Sequence, residues 1–148
     1  DQPVLYLSKY IIENKSEYYR LLHAVTAQGK WEDWILYMLE GIRVTAIETR
    51  EKIVAIRTLI DRTLETGRTK LPGKVYSKEL IELLFHQPYT KVQNLVDAGI
   101  AERKTAAVYL RALEKIGILR SLKSGKEVLF LNVKLFRLLS THAGESGT

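Results

Sequence analysis

The chain has 148 residues, 46% hydrophobic and 27% charged, with a formal net charge of +6. This is ordinary globular composition at a length that supports one or two units with real cores, and it argues against disorder over most of the chain. The lack of cysteine excludes a disulfide framework, a Cys nucleophile and thiolate zinc sites, and it fits a reducing, cytoplasmic setting.

No run of 18 apolar residues occurs, so no membrane span is expected. The opening Asp1-Gln2-Pro3 lacks the basic-then-apolar layout of a signal peptide. No initiator Met is present and a helical pattern begins almost at once, so we expect a piece of a longer protein.

In chain order, Val4, Leu5, Leu7, Ile11 and Ile12 give a first helical face, with Pro3 suited to its first turn. Ser16 is expected to cap a second helix carrying Tyr19, Leu22, His23 and Val25, which Gln28-Gly29 ends. From Lys30 to about Thr66 a long helix is expected, with Ile35, Leu39, Ile42, Ala46, Thr49, Ile53, Ile56 and Ile60 forming a heptad-like seam. Gly41 is its weakest point. Trp31 and Trp34 share a face and are expected in the core. His23 is expected to be a packed, hydrogen-bonded side chain. The three histidines, His23, His86 and His142, lack metal-ligand spacing, so no metal site is assigned.

The run from Pro3 through Leu5-Tyr6-Leu7-Ser8 to Ile12, then Asn14, Tyr18-Tyr19 and Gly29-Lys30-Trp31-Glu32-Asp33-Trp34-Ile35, resembles the segment that follows the active-site motif in Fic (filamentation induced by cyclic AMP) proteins. The resemblance covers roughly residues 3 to 64. It implies the last helices of a Fic core. Enzymes of that family typically move AMP from ATP to a target hydroxyl, and ATP and magnesium are implied only for an intact Fic parent. The family's His-Pro-Phe…Gly-Asn-Gly-Arg motif, with its base and phosphate cradle, does not occur in this sequence. Neither does its inhibitory Ser/Thr-x-x-x-Glu-Gly/Asn helix: Lys9 stands four before Glu13, and Leu36 four before Glu40. The scaffold is carried over, with no catalytic residue and no cofactor in this chain.

Thr66 to Lys74 contains Gly67 and Pro72-Gly73, and the charge changes sign there. Residues 1–66 hold 9 Lys+Arg against 10 Asp+Glu, and residues 67–148 hold 14 against 7. A basic half points to a polyanionic partner, nucleic acid first, or else to a solvated basic surface. We therefore expect a helical segment at 1–66, a linker at 67–74, a second domain at 75–140 and a disordered tail at 141–148.

In the second domain Ser77 is expected to cap a helix with Leu80, Ile81, Leu84 and Phe85 inward, ended by Pro88. Thr90 is expected to cap a short helix with Val92 and Leu95-Val96 inward. After the turn Ala98-Gly99-Ile100, a third helix runs from Glu102 to Ile116 and ends at Gly117. Ile118–Leu122 and Glu127–Leu131 are expected to be the strands of a hairpin, and Asn132 to cap a last helix through Leu139. This is the order of a winged helix-turn-helix domain. The string from Thr105 to Leu119 also resembles the recognition helix and following strand of many bacterial winged-helix repressors. The fold class is thus mainly α, Fic-type C-terminal helices plus a winged helix with a small β-hairpin.

The candidate nucleic-acid-binding residues are Thr90, Lys91, Arg103, Lys104, Thr105, Val108, Arg111, Lys123 and Lys126. Arg pairs bidentately with guanine, while Lys and Thr bind phosphates. Ala107 and Val108 are less polar than a strong reader of DNA would show, which keeps open a module for protein contact or target recruitment. DNA, a protein partner and a second copy of the chain are the partners considered.

Overall fold

The computed structural model describes residues 7–125 and 127–140, and the chain divides into two units, residues 1–54 and 55–148. Pro3, Val4 and Leu5 of the expected first helix, Lys126, His142 and the tail 141–148 lie outside the described residues. The expected fold class, mainly α with a small β-hairpin, is the one the chain adopts.

The first unit holds α1 (Leu7–Glu13), α2 (Lys15–Gln28) and the part of α3 (Trp31–Lys70) up to Val54. Asn14, not Ser16, stands at the start of α2, and its side-chain amide donates to the Tyr10 carbonyl at 2.9 Å. Gly29 ends α2 in the left-handed region at φ 67°, where its N–H reaches the Val25 carbonyl and that of Lys30 the Ala24 carbonyl. The core is aromatic. Tyr18, Trp34 and Tyr37 lie within 5.0–6.3 Å of one another, ring to ring, and Tyr10 reaches Tyr37 at 5.4 Å. Lys9 pairs with Glu48 at 3.1 Å.

Three sequence expectations are corrected here. Trp31 is exposed and only Trp34 joins the aromatic core, because Tyr37, Gly41 and Thr45 form the packed stripe of α3. His23 is exposed, two residues from each of the buried Leu21 and Val25 and so on the opposite side of α2. Gly41 is not a weak point. A Cβ there would stand 2.7 Å from the Tyr10 ring and 2.9 Å from Leu7, so the missing side chain lets α1 lie close to α3. Ile35, Leu39, Ile42 and Ile53 of the heptad-like seam are exposed.

The second unit contains α3 from Ala55, then α4 (Lys78–Leu83), β1 (Tyr89–Thr90), α5 (Val92–Asp97), α6 (Arg103–Lys115), β2 (Arg120–Ser124), β3 (Glu127–Leu131) and α7 (Val133–Ser140). Its sheet has the order β1-β3-β2 and is antiparallel throughout. The two-residue β1 was not foreseen. Tyr89-Thr90 is too short to show a period of two, and it pairs with Leu131 and Phe130.

Leu80, Ile81, Leu84, Leu95, Leu110 and Leu113 are fully buried and, with Phe130, form the core. The Ser77 hydroxyl accepts from the Leu80 N–H at 3.0 Å and caps α4 as expected. Asn132 caps α7 in the same way, accepting from the Leu135 N–H at 3.2 Å.

The expected linker is not a loose segment. α3 continues through Gly67 to Lys70, and Leu71 and Val75 are buried in the core. Pro72-Gly73 does turn the chain, with the Pro72 carbonyl accepting from the N–H groups of Val75 and Tyr76. A Cβ on Gly67 would meet Ile81 and Tyr76 at 3.2 Å, so this glycine marks a close approach rather than a break. Gly67→Leu should therefore destabilise the unit by about 1–3 kcal/mol through overpacking, despite leucine's better helix propensity. Urea unfolding followed by circular dichroism checks this, and unchanged or raised stability would contradict the packing given for Gly67.

Candidate nucleic-acid interface

The C-terminal unit carries 16 Lys+Arg against 9 Asp+Glu, and the first unit 7 against 8. The basic excess thus lies wholly in the second unit. Within it, α6 is amphipathic. Ala106, Leu110 and Leu113 are buried, and Arg103, Lys104, Thr105, Val108, Arg111 and Lys115 are exposed. The turn before α6 is set by Gly99, whose φ of 68° favours glycine.

Arg103 and Lys104 open α6, where the helix dipole is already positive. No acidic residue lies in that first turn, although Glu102 stands just before it. Cations at this end are unfavourable for the helix alone and favourable for holding an anion. Neither side chain forms an ion pair among the described residues.

Lys123 joins this surface through sheet register. Ser121 pairs with Phe130, and Lys123 with Val128 two residues further out. Residues two apart share a sheet face, so Lys123 extends from the hairpin on the face where Ser121 meets α6. Lys123 is exposed and also lacks an ion pair among the described residues. Lys126 lies outside the described residues.

Three other candidates are placed differently. Thr90 is 3% exposed on β1, so its hydroxyl is not offered to a ligand. It does not cap α5 either. Lys91 holds that position, and its backbone N–H donates to the Asn94 side chain at 2.7 Å. The Lys91 ammonium is paired with Glu127, which raises its pKa through that hydrogen bond and the attached charge.

Arg111 is turned inward to the hairpin. It pairs with Glu114 at 2.8 Å, reaches the Ser121 hydroxyl at 3.3 Å and lies 5.2 Å from the Phe130 ring centre. Its partner Glu114 also accepts the Ser121 N–H at 2.8 Å. This cluster ties α6 to β2. The i,i+3 spacing of Arg111 and Glu114 was the sequence signal for it, and face-reading alone missed it. Val108 is 61% exposed, an apolar residue in the middle of the open face.

Hydrogen bonds from Ser121 and Arg111 hold the Glu114 carboxyl at about 2, below its ordinary 4.5. A depressed carboxylate stabilises the fold fully above its unfolded pKa. That contribution is lost as pH falls from about 4.5 toward 2, because the unfolded chain takes up the proton first. Glu114→Gln should flatten this part of the pH–Tm curve relative to the unmutated chain. Thermal melts between pH 2 and 6 check it. A parallel curve would mean that Glu114 is not held in this cluster.

Among the described residues no three His, Asp or Glu side chains converge as a metal site, and no helix is long and apolar enough to cross a membrane.

The second unit is a basic, mainly α domain in which α6 and the hairpin present Arg103, Lys104 and Lys123 without ion pairs among the described residues. Residues 59–135 match the family described as the C-terminal domain of SoFic-like protein adenylyltransferase. The match covers just over half of the chain, and the chain belongs to this family. It is the Fic connection that the first helices suggested, reached here from the other end of the sequence.

Proposed function

We propose that the second unit is a winged-helix module of a Fic-type adenylyltransferase that binds duplex nucleic acid through the start of α6 and the hairpin, placing or regulating its parent. The order α4-β1-α5-α6-β2-β3, with β3 between β1 and β2, supports the winged-helix reading. The observation that carries the binding proposal is the set Arg103, Lys104 and Lys123, exposed and without ion pairs among the described residues. Thr105 adds a hydroxyl beside them. Arg103 is the residue suited to a base edge, and the two lysines to phosphates. ATP and magnesium belong to the chemistry of an intact parent, and no residue of this chain is given a catalytic role. Anisotropy titration of a labelled 20-base-pair duplex at low salt tests the proposal, and absence of binding would refute it.

A second reading, a protein-contact module that recruits the parent's target, is favoured by Val108 and by the internal engagement of Arg111. In the first unit, exposed Ile35, Leu36, Leu39 and Ile42 form an apolar stripe of the kind that marks contacts. We expect the isolated chain to self-associate through it, most simply as a two-fold dimer. Sedimentation at tens of micromolar should give a mass well above the 17.0 kDa of one chain. A monomer mass throughout would contradict this.

A further inference from the structure

A second surface of the C-terminal unit lies away from the sequence-derived candidates. Between α3 and α7 runs an open cleft of about 430 Å³. Ala55, Leu59 and Leu138 give it an apolar floor, and Arg62, Lys134 and Arg137 place three exposed cationic side chains along its walls. Among the described residues no acidic side chain lines it.

We propose that this cleft docks a short acidic segment of a partner protein, with one or two apolar side chains on the floor and flanking carboxylates on Arg62 and Lys134. The stand is independent of the α6 reading and deepens the recruitment reading by giving the partner's chemistry. Three arguments select this occupant. Charge complementarity is one-sided, because Arg62 and Lys134 meet no anion in the lining among the described residues. Guanidinium forks suit carboxylates, and the long aliphatic stems of Arg and Lys extend the apolar floor. The size also fits. Ala55 to Arg62 covers about two helical turns, or ~10 Å, which is the reach of about three extended residues. A nucleic acid fits less well, since single strands use aromatic side chains for base stacking and none lines this cleft among the described residues.

The test uses the full chain and an eight-residue peptide with a central Leu-Phe pair flanked by three glutamates on each side. One control peptide replaces the glutamates by glutamines, and another replaces the Leu-Phe pair by serines. By fluorescence anisotropy at 50 mM salt the parent peptide should bind at least tenfold tighter than either control. The Arg62→Glu/Lys134→Glu chain should lose tenfold or more of that affinity, with its thermal midpoint unchanged. Should that variant unfold, Arg62→Gln and Lys134→Gln singly take its place. Amide shifts in the unmutated chain supply a readout that needs no variant, and Ala55, Leu59 and Leu138 should move on titration. Equal binding of the glutamine peptide, indifference to the charge changes, shifts confined to α6, or no binding at millimolar peptide would each overturn the proposal. So would competitive displacement by duplex DNA, which would assign the cleft to nucleic acid.

Discussion

Leu110→Ala should lower the stability of the C-terminal unit by about 2–5 kcal/mol, while Val108→Ala, two residues away, should change it by less than about 0.5 kcal/mol. Leu110 is fully buried among the core residues that include Leu80, Leu95 and Phe130. Truncation there loses both the transfer free energy of the removed carbons and the contacts of the walls around the void. The helices and sheet that meet at this position are held by one another, so little collapse into the cavity is available. Val108 is 61% exposed on the opposite face of the same helix and leaves no void. Denaturant unfolding of both variants checks the contrast. A small effect at Leu110, or a large one at Val108, would place α6 differently.

The triple change Arg103→Ala/Lys104→Ala/Lys123→Ala should weaken duplex binding at about 0.1 M salt on the order of 10²-fold, if each side chain holds one phosphate or base edge. The physical reason is counterion release. Each cation seated on the duplex displaces condensed ions, and that gain is largest in dilute salt. Arg111→Ala makes an informative companion. Arg111 is bound to Glu114 and Ser121, so its loss should loosen the joint between α6 and β2 and lower the thermal midpoint more than the triple change does. Its effect on duplex affinity should be smaller than that of the triple change. Comparable loss of binding at both sites would mean that Arg111 leaves its intramolecular partners to reach the ligand.

Much of the C-terminal unit was legible because its signals are local. Ser77 and Asn132 precede apolar periods and cap their helices, Gly99 and Gly117 sit at positive φ where the turns were expected, and Glu127–Leu131 forms the strand foreseen. What escaped depends on contacts distant in sequence. Gly41 and Gly67 read as a weak point and a break, yet each is a place where another element comes close. Only the partner, Tyr10 with Leu7 in one case and Ile81 with Tyr76 in the other, distinguishes the two meanings of a helical glycine. The candidate interface divided along the same line. Arg103, Lys104 and Lys123 are exposed, on the start of α6 and on the hairpin. Thr90 disappeared into a strand that two residues cannot announce, and Arg111 and Lys91 were captured by acidic partners. The basic cleft between α3 and α7 was invisible because Arg62 and Lys134 are 72 positions apart and neither belongs to a motif.

The proposal rests on cations that are free to meet phosphates, and the salt dependence of duplex binding measures that directly. Anisotropy titrations of the unmutated chain and of the Arg103/Lys104/Lys123 triple variant should be run on one duplex across 20–300 mM salt. The log-affinity against log-salt line of the unmutated chain should be steeper than that of the variant by roughly 1.8, about 0.9 for each of the two lysine–phosphate contacts. Equal slopes, or no binding by the unmutated chain at the lowest salt, would contradict the account and leave the α6 surface to a protein partner.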